Sequence, residues 1–130
     1  MRSILKILVI TISLLSVTVG ADSIEAQLKR SAEFAAQNLP MMVTEDIQAT
    51  AILAAGMVLL HRYNFVRPKS ELGDIEGMRR DLLADTISAS CSNPETLAML
   101  KNGVILQYEF YDLNNEFVTK YAVNAQVCKP

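Results

Sequence analysis

Between Val104 and Tyr111 the chain alternates strictly. Val104, Leu106, Tyr108 and Phe110 interleave with Ile105, Gln107, Glu109 and Tyr111. A period of two predicts a strand with unlike faces. Phe117 to Asn124 continues with β-branched and aromatic residues that suit a pleated surface. The five residues between the runs, Asp112 to Glu116, are turn formers. Asn tolerates positive φ, so a two-residue Asn114-Asn115 turn is one closure, and longer loops on the same five residues are another. The short turn sets Glu109 opposite Lys120, Tyr108 opposite Tyr121 and Leu106 opposite Val123. Those pairs are chemically matched, and a slip of one residue would lose them.

The stretch Glu45 to Leu60 suits a buried helix by propensity. An internal echo favours strands instead. Gly56-Met57-Val58-Leu59-Leu60-His61-Arg62-Tyr63-Asn64 repeats the pattern of Gly103-Val104-Ile105-Leu106-Gln107-Tyr108-Glu109-Phe110-Tyr111. Two strands are therefore expected near Ile47–Leu53 and Val58–Phe65, turning around Ala54-Ala55-Gly56. Helical spacing marks three other segments. One, capped by Asp22-Ser23, carries Ile24, Leu28, Ala32 and Ala35 to about Asn38, before Pro40. The second starts at Ser70 or Asp74, carries Leu72, Ile75, Met78, Leu82 and Thr86 inward, and ends near Ala89. The third runs from Pro94 to about Lys101, with Asn93 as cap and Asn102-Gly103 as stop. The fold class expected is α+β: an antiparallel sheet of about four strands from two β-hairpins, with helices packed on one face and one disulfide.

Composition changes this picture at the N-terminus. Arg2 and Lys6 precede an apolar run, Ile7 to Val19, and Val19-Gly20-Ala21 places small residues before a polar Asp22. This is the layout of a secretory signal peptide. Residues 1–21 are expected to be cleaved after Ala21, leaving 22–130 as a single periplasmic α+β domain. Cleavage removes two of the twelve basic residues and none of the fourteen acidic ones, so the mature domain is weakly acidic. No basic stripe of the kind nucleic-acid binding needs is present.

Cys91 and Cys128 are the only cysteines. An even count in an exported domain predicts one structural disulfide. Closing a loop of that length is worth roughly 4 kcal/mol on the chain-entropy account.

No catalytic, cofactor or metal site emerges. His61 is the only histidine, and no Cys/His spacing supplies the three or four ligands of a zinc site. A Cys–His nucleophile pair would need a thiol that the disulfide removes. Glu45-Asp46 and the Glu71, Asp74, Glu76 cluster sit beside element starts, where acidic groups favour the helix dipole. Gly73 and Gly77 are too sparse for a phosphate loop. Met41-Met42, with Met57, are expected to fill core rather than form a contact surface. Tyr63, Phe65, Tyr108, Tyr111 and Tyr121 offer the sheet an aromatic face, part of which must pack beneath the helices.

Several pieces resemble small exported bacterial proteins: Leu39-Pro40-Met41-Met42-Val43, His61-Arg62-Tyr63-Asn64-Phe65, the helix entering Cys91-Ser92-Asn93-Pro94, and Gly103 to Asp112 closing at Cys128. The pattern resembles the quorum-sensing-regulated virulence-factor-like proteins and, more loosely, the disulfide-bonded α+β type II secretion pilotins. The resemblance implies a periplasmic, non-enzymatic protein that binds another protein. Such pilotins are typically lipoproteins, and no cysteine stands at the expected mature start, so no lipid anchor is implied. The function expected is a protein-binding adaptor for an envelope or secretion component. An immunity protein against a periplasm-acting toxin is the alternative, ahead of a small hydrolase or a purely structural envelope protein.

Overall fold

The computed structural model describes residues 23–129, so the leader and its cleavage point lie outside the described residues. Helix α1 spans Ile24–Ala36, and the Ser23 side chain caps it by accepting from the Ala26 N–H. A two-residue strand follows, β1 at Met41–Met42, then β2 at Ile47–Ala55 and β3 at Val58–Phe65. Residues 47–53 are thus strand. Gly56 has φ +59, the first central position of a two-residue turn that L side chains rarely adopt.

Helix α2 spans Ile75–Ser92 under an Asp74 cap that accepts from the Gly77 N–H. Cys91 therefore lies in its last turn rather than beyond its end. Asn93 caps α3, Pro94–Lys101, with Pro at the first helical position. Strands β4 (Ile105–Tyr111) and β5 (Phe117–Val123) close the chain, before a short 3₁₀ turn at Ala125–Cys128. Cys128 in that turn is bonded to Cys91, with the two Cα atoms 5.4 Å apart.

The sheet departs from the expected antiparallel four strands. Among the described residues it has five strands in the order β1-β2-β3-β4-β5, and β3 and β4 run parallel. The two hairpins are real, but they join through their inner strands. A parallel pair needs a long crossover, and α2 with α3 supplies it. The fifth strand, β1, was not anticipated because two residues carry no periodicity.

The parallel register is the echo itself: Val58 faces Ile105, His61 faces Tyr108, Arg62 faces Glu109 and Tyr63 faces Phe110. The β4–β5 register holds at Leu106–Val123, Tyr108–Tyr121 and Glu109–Lys120. It shifts by a bulge at Phe110/Tyr111, because the closure is the longer loop. There the Asp112 N–H donates to the Glu116 carbonyl, and Asn115 takes φ 61.

One face of the sheet forms the core. Leu59, Leu106 and Val123 make one buried row; His61, Tyr108 and Tyr121 make the next; Tyr63, Phe110 and Thr119 the third. The rings stack across strands, with centroids 4.7 Å apart for His61–Tyr108 and 5.2 Å for Tyr108–Tyr121. Such pairs contribute about 0.5–1.5 kcal/mol beyond their buried area. Leu28, Ala32 and Ala35 of α1 and Met78 and Leu82 of α2 join the same cluster. α1 packs on β2, and α2 packs against β5.

Candidate interaction surface

The face opposite the core has no covering helix among the described residues. Along it, Ala51, Arg62, Glu109 and Lys120 form one cross-strand row. The register sets Lys120 opposite Glu109, yet the ion pair forms with Arg62, at 3.8 Å. Arg62 also lies 4.3 Å over the Tyr111 ring centroid and donates to the Tyr111 hydroxyl. Gln107 donates to the other oxygen of Glu109 at 3.0 Å. Arg62 keeps 45% of its side chain exposed and Glu109 only 17%. The guanidinium is thus held in place, half in water, with donor capacity left over.

A second cluster adjoins it. Asn64 donates to the Asp112 carbonyl and to the Asn115 side chain, and accepts from Thr50 at 2.9 Å. Asp112 organises the turn beneath. Its carboxylate accepts from the N–H groups of Asn114, Glu116 and Lys69, each at 2.8 Å. Burial pushes this carboxyl up, but the three backbone donors and the Lys69 charge outweigh it, and the net shift is downward. The same face also exposes three apolar side chains, Leu53, Ile105 and Phe117.

The residues singled out in the sequence scatter. His61 is 1% exposed in the centre of the core, and neither ring nitrogen has a well-aligned partner. Burial lowers its pKa to about 4, outweighing the opposite pull of the Gln107 and Leu59 backbone. Burial likewise raises the Tyr63 and Tyr108 phenols well above the usual range. Asp46 pairs with Arg67 at 3.4 Å, Asp74 is a helix cap, and Glu76 lies in the first turn of α2. Among the described residues no three His, Cys, Asp or Glu side chains are placed to hold a metal ion. No described helix is long and apolar enough to cross a membrane.

Met41 and Met42 are 40% and 49% exposed on the edge strand, so they do not fill core as expected. In so short a strand at the sheet's rim, both keep much of their surface open. Of the five aromatics, Tyr63, Phe65, Tyr108 and Tyr121 are buried, and Tyr111 alone reaches the open face. Arg62 was not singled out from the sequence. The signal was available, because the echo read as a parallel register sets it opposite Glu109.

A hollow of about 260 Å³ lies between the end of α3 and the last turn. That is below the roughly 300–1,000 Å³ of small-molecule sites. The broad open face is the better candidate surface.

These features define an α+β domain with one helix-covered sheet face, one structured open face and a disulfide at its closing turn. No family model and no curated protein matches the chain. Solved structures do. A candidate secreted protein of Pseudomonas aeruginosa aligns with TM-score 0.70 and 20% identity over 84% of this chain and 100% of its own. EpsS, the pilotin of the Vibrio vulnificus type 2 secretion system, aligns with TM-score 0.67 and 15% identity over 82% of this chain and 92% of its own. AspS, the type II secretion system pilotin of Vibrio cholerae, gives TM-score 0.59 and 14% identity over 80% and 91%. The chain shares its fold with these pilotins. The likeness to the quorum-sensing-regulated proteins stays a resemblance of sequence pattern.

Proposed function

We propose that the protein is exported by a leader spanning residues 1–21 and works in the periplasm as a non-catalytic adaptor. Its partner is a protein component of the envelope secretion machinery, bound through the open sheet face. The observation that carries this reading is the Arg62–Glu109–Tyr111 network, built and held on a face that no described element covers. A guanidinium fixed beside an aromatic ring, on a face that also exposes apolar side chains, is the composition of an interface anchor. The fold likeness to two type II secretion pilotins supports the class of partner.

The test is capture from a periplasmic extract with disulfide-intact protein as bait. Wild type should retain one secretion component at near-stoichiometric yield. Arg62→Glu and Tyr111→Ala, with circular dichroism unchanged, should retain at least about tenfold less, as expected for anchor residues. Equal capture by the variants, or capture of a toxin instead, overturns the reading. Intact mass of protein drawn from cells tests the leader: the expected chain begins at Asp22.

A further inference from the structure

The two edges of the sheet are not alike. At β5, Arg79 of α2 donates its Nε–H to the Lys120 carbonyl at 3.0 Å, so a side chain occupies that edge. At the other edge β1 pairs only with Gln48 and Ala49, and a bulge follows at Ala49/Ala51. From Ala51 to Ala55, β2 is paired with β3 on one side and with no described strand on the other. Those five residues lie between Ala49, the last residue paired with β1, and the Gly56 turn.

The phase of hydrogen bonding along this segment follows from the turn. A two-residue turn closes on a bonded pair, here Ala55–Val58. Bonds to β3 then fall at Ala55, Leu53 and Ala51. The N–H and C=O of Ile52 and Ala54 point outward. The same phase holds beyond the bulge, where the Val43 N–H reaches the outward Ile47 carbonyl at 2.9 Å. Leu53 lies between the two outward residues, on the open face with Leu60, and is 57% exposed. Strand β2, IQATAILAA, carries no charge and no proline. Free edges are ordinarily guarded by both, and an apolar unguarded edge invites another strand.

We propose that this edge pairs with the same edge of a second copy of the chain, antiparallel about a two-fold axis through Leu53. The register is dictated by the phase. Outward residues must meet outward residues, so Ile52 of each copy bonds with Ala54 of the other, and Leu53 meets Leu53 on the axis. The five-residue windows match in length, and the next slot falls at the partner's Gly56, where its chain turns away. An uncharged edge adds no like-charge repulsion, whereas the domain as a whole is acidic. The product is one continuous ten-stranded sheet whose two open faces lie on the same side. Two anchor networks are then presented together. The proposal is independent of which protein the open face binds.

An interface of four backbone hydrogen bonds and a leucine pair is smaller than the roughly 1,200–2,000 Å² of a standard complex, so a weak, concentration-dependent dimer is expected. Sedimentation velocity of the disulfide-intact domain should show weight-average mass rising towards twice the monomer between about 10 μM and about 1 mM. Leu53→Lys, at an exposed position, should hold the mass at the monomer value.

Cross-linking tests the register. No free cysteine exists in the protein, so a single introduced thiol reports alone. A non-bonded antiparallel pair has Cα atoms about 4.5 Å apart, within disulfide reach. Leu53→Cys treated with oxidised glutathione should give a covalent dimer. Ala51→Cys should not, because its copies would lie roughly 14 Å apart. A monomer at every concentration, or equal cross-linking of both variants, overturns the proposal.

Discussion

His61 gives the sharpest quantitative expectation. It is the only histidine, lies at the centre of the sheet between Ile52 and Tyr108, and lacks a well-aligned hydrogen bond at either nitrogen. Burial favours the neutral ring and lowers its pKa from 6.5 to about 4. The unfolded chain therefore takes up the proton first on acidification. The contribution to stability is complete above pH 6.5 and is lost as pH falls from 6.5 towards 4. Each unit costs about 1.4 kcal/mol, so about 3 kcal/mol is gone by pH 4. Small domains hold only about 5–15 kcal/mol in total, so the loss is large. Carboxylates also titrate there, and the comparison must remove them. Urea unfolding of wild type and His61→Phe at several pH values does so, because only the difference between the two curves carries the histidine. That difference should be flat above pH 6.5 and fall by about 1.4 kcal/mol per unit below pH 6. A difference that stays flat down to pH 4.5 would refute the argument. An imidazole resonance titrating near its ordinary value in the folded protein would do the same.

Other expectations follow from single contacts. Replacing Cys91 and Cys128 together by Ser releases a crosslink spanning 37 positions and should cost roughly 4 kcal/mol in urea unfolding; a loss under about 1 kcal/mol would argue against the chain-entropy account. Tyr108 and Tyr121 should respond oppositely to loss of the hydroxyl. Tyr108→Phe deletes a buried oxygen with no partner and should stabilise by about 1 kcal/mol, while Tyr121→Phe breaks a 2.9 Å bond to Thr86 and should cost about 1 kcal/mol. Equal effects in calorimetry would contradict the assignment. Mild peroxide should convert exposed Met41 and Met42 to sulfoxide well before buried Met78 and Met99, as read by peptide mass mapping.

Much of the architecture is legible because its causes are local. Ser23, Asp74 and Asn93 each cap a helix by accepting from an N–H three residues on, a relation contained in four consecutive letters. The alternation at Leu106, Tyr108 and Phe110 states which side of β4 is buried without reference to any neighbour. The β4–β5 register is local too, and only its bulge escaped, since it depends on how Asp112 gathers three backbone donors. Met41 and Met42 misled for the opposite reason. Their chemistry says core, and only their place at the rim leaves them in water.

Which strand lies beside which is not a local property. The echo between β3 and β4 was visible, and it records that both strands have the same faces, but equal faces serve two separate hairpins as well as one parallel pair. The choice is made by burial. Joining β3 to β4 stacks His61 on Tyr108 and Tyr63 on Phe110 under one helical cover, and leaves no unpaired inner edge. That arrangement needs contacts 47 positions apart, closed by a crossover whose direction no period announces. Strands, caps and faces belong to the order of residues; the parallel seam, and with it the meeting of Arg62 and Glu109, exists only once the chain has closed on itself.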